Sequence, residues 1–241
     1  SSDLIKAIQI KPEYPWFFFY SDLLNFLMKQ GKLQKILKLF QQATQENPNS
    51  ILCYVNLGEI LTETGNLDAA IKNYQTASHN KTRQSHPTFV EQNWDLKNTN
   101  GPNFIIIGAQ KSGTTALENY IAQHPQVIPA IKKETHFWYR DFRKGIDWYL
   151  AHFPPIPRSE NYITGEATPN YLENYQAAKR IYNVFPEVKL LVILRNPVDR
   201  TFSQYHHWIK FNWDYRSFET AINYRSEEHT SELQSRQYLV C

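Results

Sequence analysis

The run Pro102-Asn-Phe-Ile-Ile-Ile-Gly108-Ala-Gln-Lys-Ser-Gly113-Thr-Thr-Ala-Leu117 joins four apolar residues to a short glycine-containing loop and then to a helix-forming stretch. Residues 104–107 lack polar alternation, the pattern of a parallel strand covered on both faces. Residues 108–115 make the loop, and residues 115–123 read as a helix that His124-Pro125 ends, because the residue before proline avoids the helical region. Strand, loop and helix in this order bind phosphate. Successive backbone N–H groups form a concave nest, and the unpaired N–H groups of the first helical turn face the anion. The helix dipole contributes roughly 0.3–1 kcal/mol and each charge-assisted hydrogen bond about 1.5–3 kcal/mol, so Lys111 and the hydroxyls of Ser112, Thr114 and Thr115 outweigh the dipole.

The loop departs from the triphosphatase pattern G-x-x-x-x-G-K-[ST], which places lysine directly after the second glycine. Gly108 and Gly113 keep the spacing, but Thr114 stands in the lysine position and Lys111 sits inside the loop. The second apolar strand, residues 189–194, runs into Arg195 rather than a metal-binding aspartate. Arginine there suits a second anionic group better than a metal ion.

Further along, Leu190-Leu-Val-Ile-Leu-Arg195-Asn-Pro-Val-Asp-Arg-Thr-Phe-Ser203 forms a strand, an arginine, a loop and a serine on the next helix. Between the two strands lie Lys132-Lys-Glu134-Thr-His136-Phe-Trp138, Lys144-Gly-Ile-Asp-Trp-Tyr149 and Gly165-Glu-Ala-Thr-Pro-Asn-Tyr171. In this order the segments resemble the sulfotransferases that use 3′-phosphoadenosine 5′-phosphosulfate (PAPS), most closely the heparan-sulfate N- and O-sulfotransferase type. The resemblance covers residues 102–222. It implies that Gln110, Lys111, Ser112, Gly113, Thr114 and Thr115 hold the 5′-phosphosulfate of PAPS, and that Arg195 and Ser203 grip its 3′-phosphate. It also implies a catalytic glutamate at Glu134. His136 is the alternative base, or a group that orients the acceptor. Lys111 is suited to stabilising charge on the leaving oxygen. No metal is required by this chemistry, and none of the His, Cys and Asp residues has metal-ligand spacing. Ala167 departs from the pattern: heparan-type enzymes carry lysine there, in the acceptor-facing cleft. The acceptor implied is a hydroxyl or amine, on a carbohydrate or other small molecule. Two rival classes are a P-loop kinase or ATPase, which the displaced lysine disfavours, and a repeat scaffold carrying an inactive nucleotide-binding domain.

Residues 1–80 repeat. Tyr20, Leu23, Leu27, Gly31, Leu33, Phe40 and Ala43 recur at a fixed period as Tyr54, Leu57, Leu61, Gly65, Leu67, Tyr74 and Ala77. That period and residue choice are those of tetratricopeptide repeats, one partial and two full, whose stacking makes a groove for a protein partner. Residues 81–101 are polar and read as a linker, pinned by Phe89, Val90 and Trp94. The expected architecture is therefore an all-α repeat domain before an α/β, P-loop-like three-layer sandwich with a central, mostly parallel sheet over residues 102–224. Further helices are expected at 145–152, 174–184 and 198–209.

Residues 225–241 resemble the translation of a sequencing adapter and are set aside as non-native. Without them, the resemblance implies that a later nucleotide-covering segment lies outside this chain, and that the chain alone binds donor weakly. Hydrophobic content of 41% with 15% aromatic residues supports a real core, and a net charge of +3 does not argue for nucleic acid. No apolar run reaches the ~20 residues of a membrane span. Cys53 is the single cysteine outside the set-aside tail, which fits a reducing, cytoplasmic setting.

Overall fold

The computed structural model describes residues 2–15, 31–157, 160–211 and 215–223. Tyr20, Leu23 and Leu27 of the repeat pattern, and the segment 225–241, lie outside these.

The repeat region contains α1 (Ser2–Ile10), α2 (Leu33–Glu46), α3 (Ile51–Glu63) and α4 (Leu67–Ser85). Gly31 and Gly65 take the left-handed conformation at the turns, with φ of 64° and 78°, as the repeat pattern requires. Asn66 caps α4 by accepting from the Ala69 N–H. The repeat positions Phe40, Ala43, Ala70, Tyr74 and Ala77 are all buried. Gly58 adds a contact that the repeat pattern did not single out: a Cβ there would lie 2.5 Å from the Tyr74 ring, so only glycine lets α3 and α4 approach this closely.

The segment expected to be a linker is mostly helical. α4 continues to Ser85, and α5 (Pro87–Asn93) starts at once, with Pro87 in the first helical turn, where its missing N–H costs nothing. Tertiary contacts override the polar composition. Asn80 Nδ2 donates to the Pro48 carbonyl at 3.0 Å, and Phe89 is buried with Ile128 and Ile156. Val90 and Trp94 pack against the same cluster, so the three apolar residues do pin this segment to the sheet domain.

The sheet domain has three parallel strands in the order β2 (Gly165–Ala167), β1 (Phe104–Gly108), β3 (Lys189–Val192). β1 is central and apolar on both faces. Ile105 joins the core that holds Trp138, Trp148 and Tyr149, while Phe104 and Ile106 pack with Val127 and Ala167 on the other side. The helices are α6 (Thr114–Ile121), α7 (Ile146–Leu150), α8 (Tyr175–Val184) and α9 (Pro197–Lys210). α6 is shorter than the expected 115–123, and β3 ends two residues before the expected 194. Ladder bonds between Ile193 and Gly108–Ala109 nevertheless carry β3 alongside the loop. β2 spans three residues, too few for any periodicity to reveal it.

The core containing Ile105 is continuous with the repeat core: Phe40, Ile60 and Tyr74 belong to one cluster with Phe137, Trp148 and Tyr171. Tyr74 meets Trp148 edge to face at 5.7 Å and tilts over His152 at 4.3 Å. His152 is fully buried, and its Nδ1 donates toward the Trp148 carbonyl (2.9 Å), which fixes its tautomer.

Candidate functional site

The loop between β1 and α6 is built by backbone conformation. Lys111 has φ of 61° and Gly113 has φ of 100°, a pair of left-handed turns that wraps the chain around the α6 N-terminus. A left-handed lysine costs of order 1–3 kcal/mol, which the flanking ladder and helix must offset. Ser112 and Thr114 are buried; Thr115 and Gly113 are exposed. The Ser112 Oγ is buried with no hydrogen-bond partner among the described residues. An orphaned hydroxyl inside a loop of this shape fits a phosphate or sulfate oxygen as its missing partner. Gln110 is held from the side by Asn170, at 3.2 Å.

The second motif arrives at the same place. Arg195 leaves the end of β3 and its Nη1 donates to the Lys111 carbonyl at 3.4 Å. Asn196 caps α9 by accepting from the Val198 N–H at 3.0 Å. Lys111, Arg195 and Ser203 line one cleft of about 470 Å³ together with Asp199, Phe202, His206, His207 and Lys210. Ser203, His206, His207 and Lys210 are spaced i, i+3, i+4 and i+7, so a single face of α9 presents them all. The helical spacing of His206 and His207 from Ser203 is the sequence signal that brings both to the cleft. Burial and the Lys111 charge lower the His207 pKa, and the Glu134 charge partly offsets them.

Glu134 and His136 sit on the segment between α6 and α7, both with left-handed backbones (φ 61° and 55°). Between them Thr135 is fully buried, and its Oγ1 donates to Glu166 Oε2 at 2.9 Å. Glu166, on β2, also accepts from Thr168, Tyr149 and Tyr171. Burial pushes the Glu166 carboxyl above its usual range, against the pull of these four hydroxyls. Thr135 is thereby anchored between the two left-handed residues. The Glu134 N–H donates to the Ala167 carbonyl at 3.1 Å. Ala167 itself is buried, and its side chain packs in the sheet core rather than offering a charge to the cleft.

Glu134 pairs with Lys133 at 2.8 Å, and its Oε2 lies 3.9 Å from His136 Nε2, too long for a hydrogen bond. His136 Nδ1 meets the Tyr139 hydroxyl at 3.0 Å. Burial, with the Arg140 charge, brings the His136 pKa down to about 4. Burial, with the Lys132 charge, brings that of His152 to about 3. Both are neutral at pH 7. Their folded values lie below the unfolded value, so below about pH 6.5 the unfolded chain binds protons that the folded chain does not. Stability from these groups is complete above that pH and is lost as pH falls toward 4, at about 1.4 kcal/mol per pH unit for each histidine. Thermal unfolding between pH 7.5 and 4.5 should show the midpoint falling with acid, with a shallower fall in His152→Gln. An equal slope in that variant would contradict the assignment.

The sulfotransferase domain family matches residues 101–238, more than half of the chain. This chain belongs to the sulfotransferase domain family. A tetratricopeptide repeat match covers residues 27–85. Among relatives, the chain is 44% identical over 115 residues to membrane-associated sulfotransferase kil1 of Dictyostelium discoideum, covering 46% of this chain and 24% of that protein. It is 36% identical over 112 residues to human bifunctional heparan sulfate N-deacetylase/N-sulfotransferase 3, covering 44% of this chain and 13% of that protein. It is 38% identical over 104 residues to mouse heparan sulfate glucosamine 3-O-sulfotransferase 6, covering 43% and 30%. The chain therefore spans well under half the length of these relatives. A crystal structure of a sulfotransferase from Alicyclobacillus acidocaldarius is 34% identical, with a TM-score of 0.46 over 54% of this chain and 59% of that one. Among the described residues, no helix of this sulfotransferase-family chain is long and apolar enough to cross a membrane.

Proposed function

We propose that the chain transfers a sulfuryl group from PAPS to a hydroxyl or amine, with a carbohydrate as the acceptor class. The observation that carries this is the convergence of Lys111, Arg195 and Ser203 on one cleft, beside the orphaned Ser112 hydroxyl. A nucleotide with phosphate at the 3′ and 5′ positions of its ribose needs two anion sites a ribose apart, and the residues that follow the two strands suit them. In this reading Gln110, Lys111, Ser112, Gly113, Thr114 and Thr115 hold the 5′-phosphosulfate, and Arg195 with Ser203 holds the 3′-phosphate. The acceptor oxygen or nitrogen attacks sulfur in line, its proton passes to Glu134, and the sulfur–oxygen bond to adenosine 3′,5′-bisphosphate breaks. Lys111 stabilises the charge left on that oxygen. His136, neutral and tied to Tyr139, orients the acceptor. The heparan sulfate enzymes among the relatives support the carbohydrate class, while the buried Ala167 argues for a different saccharide contact from theirs. A cytoplasmic setting, with buried Cys53 as a free thiol, belongs to the same proposal.

Isothermal titration calorimetry of the full-length protein tests the donor site. Adenosine 3′,5′-bisphosphate should bind, and AMP and Mg·ATP should bind far more weakly. Arg195→Ala should weaken the bisphosphate by about 10- to 100-fold, the loss of one charge-assisted contact. Arg195 is exposed, so the variant should fold normally. A preference for Mg·ATP would instead favour the kinase or ATPase class.

A further inference from the structure

The repeat helices reach into the segment that carries Glu134 and His136. On α3, Glu59 Oε1 forms an ion pair with Lys132 Nζ, and both side chains are largely buried, at 15% and 7% exposure. Tyr74 of α4 donates to the same Glu59 oxygen at 2.8 Å. Thr62, one turn on from Glu59, accepts from the Trp148 indole N–H at 2.8 Å. From α4, Lys81 donates to the Ala130 carbonyl at 2.6 Å. At the rim, Lys144 pairs with Glu63 at 3.5 Å and lies over the Trp148 ring at 5.0 Å. The part of α3 that carries Glu59, Thr62 and Glu63 is therefore occupied by the chain's own sheet domain rather than open to a separate protein.

Apolar contacts alone would join the two domains. A buried ion pair adds something different, because its attraction offsets its desolvation only in one geometry. Burial pushes the Glu59 carboxyl up, but the Lys132 charge and hydrogen bond more than reverse this, and it stays ionised, below the usual carboxylate range. Lys132 lies two residues before Glu134 and three before Thr135. The stretch 132–136 is thus tied at one end to the repeat through Glu59 and at the other to β2 through Glu166.

We infer that Glu59 of the repeat domain is a positioning residue, which through Lys132 sets the place of Glu134 and His136 opposite the donor cleft. This rests on the sulfotransferase reading above. The test compares Glu59→Gln with the uncharged pair Glu59→Gln/Lys132→Met in the full-length protein. In Glu59→Gln, kcat should fall about 10- to 100-fold, the cost of displacing a catalytic group by about an ångström. The donor KM should stay within about twofold, since among the described residues no hydrogen bond or ion pair joins the donor loop to α3. Amide exchange should quicken about tenfold in peptides spanning 132–138 and remain unchanged in 104–117, a local opening of one segment. The uncharged pair should recover the melting temperature without recovering kcat. Three results would overturn the inference: kcat and exchange unchanged in both variants, exchange raised equally in 104–117, or kcat returning together with melting temperature in the pair. Local exchange behaving as expected in a wild-type protein that transfers no sulfuryl group would overturn the sulfotransferase reading alone and leave the mechanical tie standing.

Discussion

Lys111→Ala should lower kcat/KM for sulfuryl transfer by about 10²–10³, the usual cost of removing one group that stabilises a developing oxyanion. The substitution is clean for a structural reason. Lys111 already holds a left-handed backbone at φ of 61°, and alanine bears the same steric penalty there, so loop geometry is kept while the ammonium is lost. Arg195 reaches the Lys111 backbone carbonyl, not its side chain, so the contact joining the two anion-binding motifs also survives. The effect should fall mainly on kcat if Lys111 acts on charge that appears only as the bond breaks. A loss confined to KM would instead make Lys111 a ground-state anchor of the donor. Unchanged kinetics would remove it from the mechanism.

Glu134→Gln should lower kcat by about 10²–10⁴, the range for a positioned general base, with bisphosphate affinity unchanged. Glutamine keeps the shape, the left-handed backbone and the backbone N–H hydrogen bond to the Ala167 carbonyl, and loses only the charge and the ability to take a proton. Lys133 then loses its partner at 2.8 Å, but it remains partly exposed, so water replaces the carboxylate. The companion variant is His136→Gln. If Glu134 is the base, His136→Gln should lose less kcat than Glu134→Gln and show more of its effect in acceptor KM. The reverse ranking, measured by transfer to a defined saccharide acceptor, would move the proton to His136.

Much of this site is written in short, contiguous stretches. A phosphate loop must follow a buried strand and open a helix, so residues 104–117 declare themselves by order alone. The arginine at the end of the second strand and the serine on the next helix do the same. The repeats are legible because a stacked helix pair needs the same small and apolar residues once in every unit, and Gly31, Ala43, Gly65 and Ala77 recur accordingly. Even His206 and His207 were available from their helical spacing with Ser203.

What stayed hidden depends on partners far apart in the chain. Glu59 and Lys132 are separated by 73 positions, and Thr135 and Glu166 by 31, so neither pair leaves a periodic or local trace. Residues 81–101 are polar enough to resemble a linker, yet a buried Asn80 and Phe89 order much of them as helix, because tertiary burial outweighs local preference. Glu134 alone in the sequence is one of 23 acidic residues. Its own left-handed backbone, that of His136 two residues on and the buried Glu166 behind the segment single it out, and only packing creates those. Sequence order determined the fold and the shape of the loop proposed to hold the donor, since both follow from local geometry. The tie between the segment of Glu134 and a repeat helix was decided by the tertiary structure, since it comes from a buried charge, Lys132, finding its partner Glu59 across the domain boundary.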